Sequence, residues 1–130
     1  MNVSTMQARD SHASADDIQD GPVLLSASTI TGDDVYNMQD EELGRIQDVM
    51  LDIKDGNIRY VVLASGGFLG LGDRLFAVPW KALRHDKINK RFTLDVDVER
   101  LKNAPGFDKD QWPNMADATW NATVESFYTR

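Results

Sequence analysis

The chain has 130 residues, no cysteine and a formal charge of −7, from 14 basic and 21 acidic side chains. Its length suits one domain that buries roughly two-thirds of the surface its unfolded chain would expose, with no disulfide or metal needed to hold it. The missing thiols exclude a disulfide framework and thiolate chemistry, and an acidic balance with no basic stripe disfavours nucleic acid and anionic membrane surfaces as partners.

Residues 1–22 are rich in Ser, Ala, Asp and Gln, carry no periodicity and close at Gly21-Pro22. This composition predicts a disordered tail. The start lacks the basic residues and apolar run of a signal peptide. No stretch approaches the roughly 20 apolar residues of a membrane span. The expectation is a cytoplasmic protein without membrane insertion.

From Leu24 onward the texture is that of strands. Val35-Tyr36-Asn37 predicts a short one. Leu43 to Ile53 predicts a long one, with Leu43, Val49, Leu51 and Ile53 on one face. Asp55-Gly56 reads as a tight hairpin turn, because glycine tolerates the positive φ required there. In the next strand Ile58, Tyr60 and Val62 alternate with Val61 and Leu63, so both faces are apolar, the pattern of a strand covered on both sides. Leu75 to Val78 follows and ends at Pro79, which has no N–H to donate. Trp80 to Leu83 predicts a single helical turn, and His85 to Ile88, a turn at Asn89-Lys90 and Arg91 to Val96 predict a last hairpin. Glu99 to Asn103 reads as a short helix stopped before Pro105. Phe107 to Pro113 reads as irregular. A final helix starts near Asp117, a suitable cap, with Trp120, Val124, Phe127 and Tyr128 on one face. The expected domains are a tail at 1–22, a barrel at 23–102 and a helical segment at 103–130 packed on it.

Residues 66–72 hold four glycines in seven positions, with Phe68, Leu69 and Leu71 among them. No Gly-Lys-Ser/Thr follows and the next element is a strand, so this is no phosphate loop. It reads as a bent connection whose apolar tip packs on its own barrel or on a partner. His12 and His85 share no metal-binding spacing. His85 and Asp86 are adjacent in a strand and point to opposite faces, poor geometry for a catalytic pair. Asp48, Asp52 and Asp55, and Asp95, Asp97 and Glu99, could do acid–base work or bind calcium. They match no calcium-loop spacing and read better as a solvated edge that blocks unwanted strand pairing. The late aromatics Trp80, Phe107, Trp112, Trp120, Phe127 and Tyr128 read as core.

The glycine run, together with Val35-Tyr36-Asn37, Leu43-Gly44-Arg45-Ile46-Gln47-Asp48 and Ala104-Pro105-Gly106-Phe107, resembles the PRC-barrel family, and more narrowly its stand-alone bacterial members. The resemblance runs from about Leu24 to the C-terminus. It implies an all-β fold, a small barrel of about six strands with a C-terminal helical extension, and an assembly or adaptor role. The resulting expectation is a noncatalytic protein-interaction module with no cofactor and no metal. Its protein partner is unknown, it forms a homodimer, and its contact residues are Phe68, Leu69, Leu71 and Trp120. The alternative is a small-molecule or metal-ion sensor that uses the glycine-rich loop and the clustered carboxylates.

Overall fold

Residues 22–65 and 74–129 are described in the computed structural model of the chain. The predicted tail, apart from Pro22, lies outside the described residues, and so do Phe68, Leu69 and Leu71 of the glycine run.

The elements in chain order are α1 (Ala27–Ile30), β1 (Asp34–Tyr36), β2 (Glu42–Asp52), β3 (Asn57–Ala64) and β4 (Arg74–Pro79), then a 3₁₀ turn (Trp80–Ala82). After these come β5 (Leu83–Asp86), β6 (Arg91–Leu94), α2 (Val98–Lys102), β7 (Gly106–Asp108) and α3 (Ala118–Tyr128). Among the described residues seven strands form one sheet, ordered β5-β6-β1-β2-β3-β4-β7. The count is seven rather than about six because Gly106–Asp108, in a segment expected to be irregular, adds to the edge of β4. Every pairing is antiparallel except β1 with β6, where Val35 lies opposite Phe92. The fold is all-β with a C-terminal helix, as expected.

The double-faced pattern of β3 produces two apolar clusters. Val61 and Leu63 join Phe76 and Val78 of β4, Leu43 and Ile46 of β2, and Phe92 of β6 on one face of the sheet. Tyr60 and Val62 join Leu75 and Ala77 on the other, closed by Phe107 of β7 and Val124 of α3. The helix packs on β4, so it serves as the outer cover of the sheet. Fully burying a side chain of this size contributes about 1.5–3 kcal/mol, and the fully buried ones include Tyr60, Phe76, Phe92, Leu43, Ile46 and Leu63.

Three sequence expectations need correction here. Leu51 and Ile53 do not share a buried face with Leu43 and Val49: they are 58% and 83% exposed. The register explains why. β1 pairs with β2 only through Glu42–Arg45, and β4 reaches β3 only as far as Tyr60. Beyond those points β2 and β3 run on as a two-stranded ribbon with no further strand beside them. Ile58 packs against the Val61 cluster, not with Tyr60 and Val62. The ladder shifts between Met50 and Leu51, leaving Arg59 as an extra residue, and a bulge of this kind reverses the alternation. The turn that closes the ribbon spans residues 53–56, longer than the tight two-residue form, with Gly56 at φ 74° and its N–H bonded to the Asp52 carbonyl at 2.7 Å.

Candidate interaction surface

The free end of the β2–β3 ribbon stands next to the start of α3. Three local features fix that junction. Asp117 caps the helix, its Oδ2 accepting from the Trp120 N–H at 2.9 Å. Asn121, one turn on, donates from Nδ2 to the Asp117 carbonyl at 2.8 Å and accepts the Tyr60 hydroxyl at Oδ1. Trp120 meets the Tyr60 ring edge-on, centroids 5.3 Å apart at 70°. Burial is the main reason the Tyr60 hydroxyl is pushed above its ordinary value, with the nearby Glu125 carboxylate adding to it. The helix is held from its other flank by Glu125, which pairs with Lys81 at 2.9 Å and with Arg59 at 4.0 Å.

Two clefts flank the ribbon end. One, of about 390 Å³, lies between Met50, Leu51 and Ile53 on the ribbon and Met115 and Ala116 before α3, with Tyr60 among its walls. The other, of about 510 Å³, is polar and runs past Asp55, Asn57, Lys81 and Glu125. Asp52 and Arg59 line both, so the clefts meet at the ribbon. A third hollow, of about 290 Å³, sits under Leu24 and Leu25 against Trp80, His85 and Phe92.

The described residues singled out from sequence do not converge on one site. Trp120 is half-buried, with its ring on Tyr60 and not presented to solvent alone. Phe68, Leu69 and Leu71 lie outside the described residues. His85 stacks on Phe92 at 5.0 Å, while Asp86 turns to Asn89 and Arg91, so the two diverge. The Asn89 side-chain amide, more than any other group, holds the Asp86 carboxyl below its ordinary value. Three of the clustered carboxylates carry backbone duties. Asp97 caps α2 through the Arg100 N–H at 2.7 Å, Asp52 accepts from Asp55 N–H in the ribbon turn, and Asp48 binds the next N–H in its own strand. Among the described residues no three His, Asp or Glu side chains converge as a metal set would.

The motif residues serve the architecture. Asn37 is buried; its Oδ1 accepts from the N–H groups of Gln39 and Glu41, closing the turn from β1 to β2. Gly44 sits at φ 152°, and a Cβ there would lie 2.4 Å from the Ala64 carbonyl oxygen. These two positions explain why the short strings around them are diagnostic of a fold. A family profile of the PRC-barrel domain matches residues 22–101. The chain belongs to the PRC-barrel family. No curated protein matches it.

The PRC-barrel is a small domain often found in interaction or assembly roles. Its match ends at Leu101, short of the C-terminus to which the resemblance had extended, so β7 and α3 lie beyond it. Among the described residues no helix is long and apolar enough to cross a membrane. The ribbon-end surface built by Met50, Ile53 and Met115 was missed in the sequence. The available signal was Ile53 itself, an isoleucine set between Asp52 and Lys54 in a hairpin turn, where burial is hard to arrange.

Proposed function

We propose that this PRC-barrel is a noncatalytic protein-interaction module that works by presenting apolar surface from a rigid sheet. The observation that carries this reading is the ribbon end, where Leu51 and Ile53 are held out in water beside a cleft walled by two methionines. Apolar side chains kept exposed together on a fixed scaffold mark binding surfaces. Asp48, Asp52 and Asp97 are engaged in a strand, a turn and a cap, and no three His, Asp or Glu side chains converge among the described residues, which favours the module over the sensor. Self-association through the glycine-run residues Phe68, Leu69 and Leu71, giving a homodimer, is part of the same proposal. Two-fold pairing is the commonest closed assembly.

The test is recovery of the tagged full chain from its own cells, with the co-purifying proteins identified by mass spectrometry and the mass measured by light scattering. A defined partner at fixed stoichiometry, or a dimer abolished by Phe68→Asp with the fold retained, is expected. A chain that stays a lone monomer and is strongly stabilised by one metabolite or by Ca²⁺ would overturn the reading in favour of a sensor.

A further inference from the structure

The chain is acidic, but its β5–β6 hairpin is not. Residues 84–91 hold Arg84, Lys87, Lys90 and Arg91 against Asp86, a net +3 in a chain of −7. Among the described residues, the Lys and Arg side chains with no polar partner are Lys54, Arg84, Lys87 and Lys90, and all but Lys54 stand on this hairpin. The carboxylates nearby are taken or set apart. Asp86 and Asp40 both hold Arg91, and Asp95 follows β6 at the end away from the turn. Ile88, in the turn between Lys87 and Lys90, is 90% exposed. β5 is also an end strand of the sheet, paired only with β6 among the described residues. Cations on an end strand ordinarily guard it against pairing with another sheet.

Residues 1–21, outside the described part of the chain, carry the opposite charge: Asp10, Asp16, Asp17 and Asp20 against Arg9. Asp17-Ile18-Gln19-Asp20 repeats the order of Lys87-Ile88-Asn89-Lys90 with the sign reversed, an isoleucine and an amide between two charges. The point of attachment is close. Val23 and His85 line the same hollow, so the chain enters the domain beside β5. Asp17 stands six positions before Val23, and six residues reach up to about 20 Å, whereas a four-residue strand such as β5 spans only about 13 Å. A second copy presenting the same hairpin is repelled. Its acidic faces, like those of any other protein, must arrive from solution, while a tethered segment acts at the effective concentration set by its short link. We propose that residues 16–20 dock on the chain's own β5–β6 hairpin, Asp17 and Asp20 against Lys87 and Lys90 and Ile18 beside Ile88. They form a removable cover on the end of the sheet, which an acidic partner of this edge must displace.

The chain has no cysteine, so Ala15→Cys in the full chain carries a single nitroxide label whose broadening of backbone amide signals is read by NMR. Amides of residues 87–90 should be broadened, and salt at about 1 M, where the screening length falls to about 3 Å, should relieve it. Asp17→Asn with Asp20→Asn, and separately Lys87→Gln with Lys90→Gln, should each cut the paramagnetic relaxation there by about threefold or more. Amides of residues 23–26, kept near the label by the chain itself, should change little. Reversing both sides together, Lys87→Glu and Lys90→Glu with Asp17→Lys and Asp20→Lys, should restore the broadening, which a merely damaged turn would not. Lys87 and Lys90 are exposed, so these variants should melt like the parent. No broadening at 87–90, broadening that the neutral variants leave unchanged, or failure of the double reversal to restore it would overturn the assignment. So would broadening in a mixture of labelled chains with unlabelled, isotope-enriched ones, which would place the segment on a second copy.

Discussion

Arg100 and Phe127 are joined twice. The guanidinium lies 4.2 Å from the centroid of the Phe127 ring, and its Nη2 donates to the Phe127 carbonyl. One residue belongs to the last turn of the family-matched segment and the other to the last turn of α3, so this pair ties the C-terminal helix to the barrel. Arg100→Ala should cost about 1–2 kcal/mol, a partly desolvated cation–π contact together with one charged hydrogen bond. Arg100→Lys should recover only part of it, because an ammonium cannot lie flat on the ring. Urea melts of the three chains measure both, and an unchanged Arg100→Ala would show that α3 is held by its apolar face alone.

Trp120→Ala should cost about 2 kcal/mol, below the roughly 3–5 kcal/mol of a fully buried aromatic, because the ring is only half-buried against Tyr60. The same melts decide it. A loss above about 4 kcal/mol would mean that Trp120 anchors the sheet as well as the helix.

Gly44→Ala is expected to be far worse than its size suggests. The new methyl would stand 2.4 Å from a backbone oxygen of β3 that is fixed by sheet pairing. Overpacking and the positive φ together should remove about 2–5 kcal/mol. Circular dichroism during thermal unfolding provides the readout, and a melting temperature within a few degrees of the parent would contradict the close approach.

Alkaline pH should weaken the fold through two tyrosines. Burial raises the hydroxyls of Tyr60 and Tyr128 above their ordinary value of 10.0. The folded state therefore keeps protons that the unfolded chain releases. That contribution is complete below about pH 10 and is lost as pH climbs beyond it. Tyr128→Phe should flatten the fall and cost little at neutral pH, since the Tyr128 hydroxyl has no hydrogen-bond partner among the described residues. Denaturant titrations between pH 8 and pH 11 test this, and equal slopes for the parent and the variant would remove Tyr128 from the account.

Much of this was legible in the residues. The two-sided apolar run at 60–63 marked the covered strand, Gly56 marked the hairpin turn, and the spacing from Trp120 to Tyr128 marked the docked helix with Val124 at its centre. What escaped depends on partners distant in the chain. The three-residue strand at Gly106–Asp108 exists only because β4 offers a free edge. The bulge at Arg59 reverses alternation without any glycine or proline to announce it. Leu51 and Ile53 look like core until the register shows that the neighbouring strands stop short of them.

The position of β1 between β6 and β2 has a kinetic consequence. β2, β3 and β4 are consecutive and antiparallel, but β1 must also take β6 as a parallel neighbour, pairing Val35 with Phe92 across most of the domain. Closing so long a loop costs entropy before any contact repays it. The β2–β3–β4 meander can therefore gather early, and the β1–β6 seam closes late. Substitutions at Val61 should slow refolding, whereas shortening Val35 or Phe92 should chiefly speed unfolding. Stopped-flow refolding and unfolding rates would show the reverse pattern if the seam formed first.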